Sequence, residues 1–161
     1  MVLYTTQSPE VYRIIQKDGI YFCDTRKSQV FDLFERSYNW LEGKVGGRVR
    51  RPAAAKGLIW AYHTLPEWFD YRYSGEIGKR NVFMRLEVPD EQVTFIEAMK
   101  WQNVVDYFGL EEAEDFAAEG KYDVFDTTDA EVPPEVVFWR ISREYVKEAI
   151  FYVCEESHYD D

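Results

Sequence analysis

The stretch Asn81–Val88 has the pattern that most restricts this chain. Val82, Met84, Leu86 and Val88 alternate with positions that include Arg85 and Glu87. A period of two sends successive side chains to opposite faces, so the segment is a strand with one apolar face and one face for water or a site. Pro89-Asp90 turns the chain out of it, and Val93–Ile96 follows as a short core strand. Before it, Leu58–His63 is a second strand, with Leu58, Trp60 and Tyr62 on one side and Ile59, Ala61 and His63 on the other. Leu3–Gln7 is a short first strand. Glu135–Ile141 returns as a strand, Ser142–Val146 is a turn or short helix, and Ala149–Cys154 closes the domain.

Helical signals concentrate early. Ser8-Pro9-Glu10 combines an N-cap, a proline suited to the first turn and an acid at the positive end of the helix dipole. Val11, Ile14 and Ile15 supply the apolar face, and Gly19 supplies a left-handed stop. A second helix runs from about Ser28 to Val45 on Val30, Phe34, Tyr38, Leu41 and Val45, ended by Gly46-Gly47. The loop after it is basic (Arg48, Arg50, Arg51, Lys56), with Pro52 and three alanines in an exposed irregular stretch. Pro66–Lys79 is a loop rich in aromatics: Trp68, Phe69, Tyr71 and Tyr73. A third helix carries Trp101, Val104, Val105 and Phe108 and stops at Gly109. Helices come first and strands follow, which predicts an α+β fold with N-terminal helices and a mixed or mostly antiparallel sheet. Residues 1–154 are expected to form a single α+β domain, and residues 155–161 a frayed acidic tail.

The net charge of −11 is segregated. Residues 106–135 hold eleven acids against one lysine, whereas residues 1–105 carry +2 and residues 136–161 carry −3. A strong negative field repels nucleic acid from the face that bears it and fits a basic partner. No run approaches the roughly 20 apolar residues of a membrane helix. The N-terminus lacks a signal-peptide pattern, and Cys23 and Cys154 are isolated, so a cytoplasmic protein with reduced thiols is expected. With only His63 and His158, a histidine-rich metal site is excluded; a carboxylate-only Mg²⁺ or Ca²⁺ site in residues 111–131 is the one alternative, but the acids there lack the Asp-x-Asp-x-Asp-Gly order, and no metal is expected. Phosphate-loop, GxGxxG, GxSxG, CxxC and HExxH signatures are absent.

Five elements in order carry a family resemblance. They are Thr5-Thr6-Gln7-Ser8, then Ile59-Trp60-Ala61-Tyr62, then Glu87-Val88-Pro89-Asp90. Val93 with Glu97 and Trp101 follows, and Phe138-Trp139 with Val146 comes last. Together they resemble the bacterial family called domain of unknown function 3841. The chain departs from that pattern at Gln102, where the pattern has His, at Glu135, where it has Gln, and at Arg140, where it has Glu.

A more distant similarity is to the ADP-ribosyltransferase fold, through the aromatic-Thr first strand, the Lys17-Asp18-Gly19 helix end and the late strand opening with Glu135. That resemblance implies NAD as ligand, bound between the first strand and the Glu135 strand. Tyr4, Thr5, Thr6 and Gln7 would lie on the nicotinamide side, and Glu135 would be the catalytic carboxylate. Tyr62 or Tyr73 would stack on the ring, and Arg48, Arg50 or Arg51 would hold the pyrophosphate. The chemistry is coherent, because breaking the glycosidic bond builds positive charge on the ribose carbon, which a carboxylate stabilises. Two rivals stand beside the transferase. One is a non-catalytic module that presents residues 106–135 to a basic protein. The other is nucleic-acid binding through the Arg48–Arg51 loop, against which the overall acidity weighs.

Overall fold

The computed structural model describes residues 1–27, 31–107 and 123–157. Its elements are β1 (Val2–Gln7), α1 (Pro9–Asp18), β2 (Ile20–Phe22), α2 (Phe31–Gly46), β3 (Ile59–Tyr62), β4 (Arg80–Glu87), β5 (Thr94–Ile96), α3 (Ala98–Tyr107), β6 (Glu135–Phe138), β7 (Arg140–Ser142) and β8 (Val146–Val153). The fold is α+β, with antiparallel ladders throughout the paired strands whose register is defined. Contacts divide the chain into two compact units. One comprises residues 1–21, 61–89 and 141–161, and the other residues 22–60 and 90–140.

In the first unit β4 is the middle strand. β1 pairs along one edge, from Val2↔Glu87 to Gln7↔Val82. β8 pairs along the other, from Arg80↔Val153 to Leu86↔Val146, with an irregularity at Arg85/Leu86. The last residue of β3, Tyr62, pairs with Tyr4 of β1. Alternation then divides the side chains. Leu3, Val82, Met84 and Leu86 are fully buried, on the side where α1 packs Val11 and Ile15. The start of α1 is set by Ser8, whose Oγ accepts the Val11 N–H at 3.3 Å, with Pro9 in the first turn. Its end is set by Gly19, at φ 80°, a backbone region closed to most other residues. The N-terminal ammonium donates to the Val88 carbonyl at 2.8 Å, which fastens β1 alongside the end of β4.

The second unit has its own core. β5 and β6 pair antiparallel through Thr94↔Val137 and Ile96↔Glu135, and β6 neighbours β3. Leu41 and Val45 of α2, Trp101 and Val104 of α3, and Val137 and Trp139 meet in one buried cluster. α3 starts where it does because Glu97, itself buried, accepts the Lys100 N–H on its carboxylate at 2.6 Å. An acid at that position satisfies an unpaired helix donor and complements the dipole.

Two expectations need correction. The stretch Glu135–Ile141 is two strands rather than one. It breaks at Trp139, which is buried and donates its Nε1–H to the Val49 carbonyl at 2.9 Å, and the residues after it form β7, paired with β2. The alanine stretch after Pro52 is not wholly exposed, because Ala55 is a core residue. Trp60 is only partly buried, packed beside Trp101 at 5.5 Å between ring centroids, while Ile59 and Ala61 form the buried face of β3. Residues 108–122 of the acidic segment, Phe108 and Gly109 among them, lie outside the described residues, as do Ser28–Val30 at the expected start of the second helix.

Met84→Ala removes a side chain with no exposed surface from between two ladders. It is expected to lower the unfolding free energy by about 2–5 kcal/mol, whereas Ser8→Ala costs about 1 kcal/mol through the lost cap. Urea denaturation of both variants checks the ranking, and a smaller loss for Met84→Ala than for Ser8→Ala contradicts it.

Candidate functional site

The face of β1 and β4 opposite the core carries aromatic rings rather than water-seeking groups alone. Tyr4 stacks on Phe83 at 6.0 Å with the planes 9° apart. Phe83 also meets Phe69 at 5.6 Å and Tyr71 at 5.4 Å. Phe69 meets Tyr62 at 6.5 Å, and Tyr71 meets Tyr152 edge-on. These contacts place the aromatic loop after β3 on the second face of the strands. Asp70 shapes the loop further. Its carboxylate accepts the Arg72 backbone N–H at 3.0 Å and pairs with the Arg72 guanidinium. Its pKa is lowered by those hydrogen bonds. Gly75, at φ 116°, turns the chain away, and a Cβ there would come within 2.7 Å of the Asn81 amide.

The loop, together with Tyr62 at the end of β3 and Ser157, encloses a cavity of about 400 Å³, lined by Tyr62, Leu65, Pro66, Trp68, Phe69, Asp70, Tyr73, Ser74 and Ser157. The volume is in the range of small-molecule sites. Trp68 is 75% exposed and Tyr62 47%, so flat apolar surface faces solvent at the cavity. Ser74 ties the cavity to β1, because its Oγ is 3.0 Å from the Thr6 hydroxyl, and the Tyr152 hydroxyl donates to the Ser74 carbonyl.

The residues singled out from sequence divide between the two units. Tyr4, Thr6 and Tyr62 are brought together on the aromatic face of the first unit. Tyr62 lines the cavity, Thr6 supports it through Ser74, and Tyr4 supports it through Phe83. Thr5 and Gln7 alternate to the opposite side, where Gln7 Nε2 donates to the Thr5 hydroxyl at 2.9 Å and Thr5 is buried. Tyr73, a candidate for ring stacking, lines the cavity. Trp68, Phe69 and Asp70 were missed as site residues. The signal was present in the density of rings between Pro66 and Tyr73, but no periodicity pointed it at anything.

Arg48, Arg51 and Glu135 belong to the second unit. Arg48 lies over the Phe125 ring at 4.3 Å. Arg51 donates from Nε to the Ala55 carbonyl at 2.9 Å, lies 3.6 Å from the buried Glu42 carboxylate and sits over Trp139. These contacts hold the loop after α2, so Arg51 carries a structural load. Glu42 has a raised pKa because burial outweighs the opposing pull of Arg51 and the Thr25 hydroxyl. Glu135 opens β6 and shares a strand face with the core residue Val137, two positions on, which belongs to the same cluster as Trp101. Burial raises its pKa. Tyr38, whose ring lies 5.8 Å from Trp101, is raised by burial, with Cys23 and Glu135 adding to the effect. Glu135 is thus a desolvated carboxyl beside an aromatic group, an environment in which its charge acts strongly. Among the described residues no group of three His, Cys, Asp or Glu is placed to hold a metal ion.

Two predictions follow from these charges. Arg51→Ala leaves Glu42 buried without its cation, and is expected to lower stability by about 1–3 kcal/mol at neutral pH, less than for a fully buried pair because Arg51 is partly exposed. Combining it with Glu42→Gln should recover part of that loss in urea denaturation. For Glu135, a pKa raised above the ordinary value of 4.5 means that the folded protein holds this proton more tightly than the unfolded chain. That stability is fully present below pH 4.5 and is lost as pH rises through the folded value. Glu135→Gln should therefore match or exceed the parent in stability at pH 7, and any advantage should vanish at pH 4. A parent clearly more stable than the variant at pH 7 would contradict the desolvation account.

A family model matches residues 2–132. The match contains the elements at Thr5–Ser8, Ile59–Tyr62, Glu87–Asp90 and Val93–Trp101, and ends before Glu135, Phe138-Trp139 and Val146. No curated protein and no solved structure matches the chain. By this match the chain belongs to the family described as Domain of unknown function (DUF3841).

Proposed function

We propose that this protein binds a ring-bearing nucleotide, with NAD as the leading ligand, and that the aromatic cavity of the first unit receives its nicotinamide ring. The observation that carries the reading is the cavity wall. Tyr62, Trp68, Phe69 and Tyr73 offer ring faces at one place, and Trp68 remains largely exposed beside them. A flat heterocycle stacked on such rings gains about 1–3 kcal/mol per base-sized ring. The hydroxyl of Ser74 and the carboxylate of Asp70 line the same cavity and supply polar groups to orient a carboxamide or ribose.

A thermal-shift series with NAD, nicotinamide and AMP tests this. A ligand present at 100 times its dissociation constant should stabilise the fold by about 2.7 kcal/mol. The shift should be reduced in Tyr62→Ala and Trp68→Ala. Absence of any shift at millimolar ligand would sink the reading.

As a separate proposal, independent of the cavity of the first unit, we assign ADP-ribosyl transfer to Glu135 of the second unit. Its carboxylate would stabilise the cationic ribose carbon as the C1′–N bond breaks. The bonding pair departs with neutral nicotinamide, and a hydroxyl, amine or water acceptor forms the new bond to C1′ and loses its proton. Support comes from its half-buried setting and raised pKa. Nicotinamide release from NAD, measured by chromatography, should occur with the parent and fall at least a hundredfold in Glu135→Gln. Equal release from the two removes Glu135 from the chemistry.

A second reading rests on the segregated charge of residues 106–135. Of the six described acids in that segment, Asp106, Asp123, Asp126, Asp129 and Glu131 are exposed and Glu135 is half-buried. Such a surface suits a basic protein partner.

A further inference from the structure

We propose that β8 of the first unit pairs with β8 of a second copy of this chain, antiparallel about a two-fold axis, with Phe151 facing Phe151 of the other copy. The pairing is independent of the nucleotide reading above.

β8 ends its sheet. β4 lies along one edge, and among the described residues no strand flanks the other. An edge strand directs backbone N–H and C=O groups outward, as a template for another strand. The alternation of an antiparallel ladder decides which residues bear them. Cys154 donates its N–H to the Lys79 carbonyl at 2.9 Å, and its carbonyl accepts the Gly78 N–H at 2.9 Å, so both groups point toward the chain that leads into β4. Counting back by two, Tyr152 and Ile150 also face β4, while Ala149, Phe151 and Val153 present their groups to the open edge. This open stretch is bounded at both ends. Beyond it, the Glu155 N–H is taken by the Arg72 carbonyl at 2.8 Å. Before it, Lys147 is the extra residue at the irregularity opposite Arg85/Leu86. The midpoint of the stretch is Phe151.

The side chains suit pairing with a second copy. Edge strands are commonly blunted by charges, proline or a bulge, and from Ala149 to Val153 this strand carries none of them. Phe151 is 58% exposed and Val153 51%, although Phe151 meets Tyr12 edge-on. A dyad at Phe151 sets Ala149 against Val153 of the other copy. Every outward N–H then meets an outward carbonyl, and the exposed apolar side chains of the two copies cover one another. The same register carries Lys147 of each copy toward Glu155 of the other. Both are exposed, and Glu155 also acts electrostatically on Arg72. Opposite charges thus close both ends of the pair, a complementarity that a second copy supplies by symmetry.

Sedimentation equilibrium of the full chain, from micromolar to millimolar concentration, tests the pairing. The mass is expected to approach twice that of one chain. Phe151→Lys sets two cations opposite each other on the axis and should weaken association at least about tenfold. Lys147→Glu and Glu155→Lys each set like charges together at both ends and should each weaken it about fivefold. The double variant restores opposite charges in reversed order and should return to within about twofold of the parent. Melting temperatures check that each variant folds. The charge pair lies at exposed positions, so that arm decides even where Phe151→Lys loses stability through Tyr12. A chain that stays monomeric at millimolar concentration, a dimer indifferent to Phe151→Lys, or a double variant as weak as the single ones overturns the proposal.

Discussion

Strand β4 has a hydrogen-bonded neighbour on each edge, and much else in the first unit follows from that. With β1 and β8 fixed alongside it, its side chains can only project to the two faces. Val82, Met84 and Leu86 fill one face completely. A slip of one residue would exchange that apolar set for Phe83, Arg85 and Glu87, so the register is strongly determined. The same alternation puts Phe83 on the other face, where it anchors Tyr4, Phe69 and Tyr71. The core and the candidate cavity are therefore two consequences of one strand's periodicity. A substitution that disturbs the register would damage both together.

The family elements acquire physical meanings in the same way. Ser8 caps α1, and Val88 is buried and exchanges hydrogen bonds with Met1. Glu97 caps α3, and Trp101, one turn later, joins the core of the second unit. An acid followed four residues later by a tryptophan thus reads as a helix start and its first core contact. Such residues tell which fold the chain adopts and say little about chemistry. The residues with the most chemical promise are a loop of rings, where backbone periodicity sets no constraint, and Glu135, which lies beyond the matched span.

Elements with a period or a stop signal were legible in the sequence: β4, α1 between Ser8 and Gly19, and the antiparallel α+β class. Features that depend on distant partners were not. Trp139 breaks the late strand because its indole N–H reaches Val49, 90 residues away in sequence. Nothing in the segment Glu135–Ile141 reveals that partner. Ala55 looked like part of an exposed linker until its place in the second unit's core gave it neighbours. Glu42 fell between the apolar positions of α2 and had no mark of burial, since its burial depends on Arg51 and Thr25 reaching it from outside the helix. Tyr4 and Thr6 emerged on the cavity face and Thr5 and Gln7 on the other. A two-residue period predicts that division once β1 is known to be a strand, although it does not say which half would face a site.

The loop of rings poses an energetic question that packing alone does not answer. Phe69 and Tyr71 have partners on β4 and β8, so they are explained as cover for an apolar strand face. Trp68 is not explained in that way. Its surface is three-quarters exposed, so it contributes little buried area to the fold, yet it keeps a large apolar ring in contact with water. A single exposed apolar residue is unremarkable on a protein surface. One that borders a cavity already lined by three other aromatic residues belongs to a contiguous apolar surface, of the kind that small-molecule sites present. The rings are what the proposed flat ligand would stack on, and the carboxylate among them is already paired with Arg72, which fixes the loop that carries them.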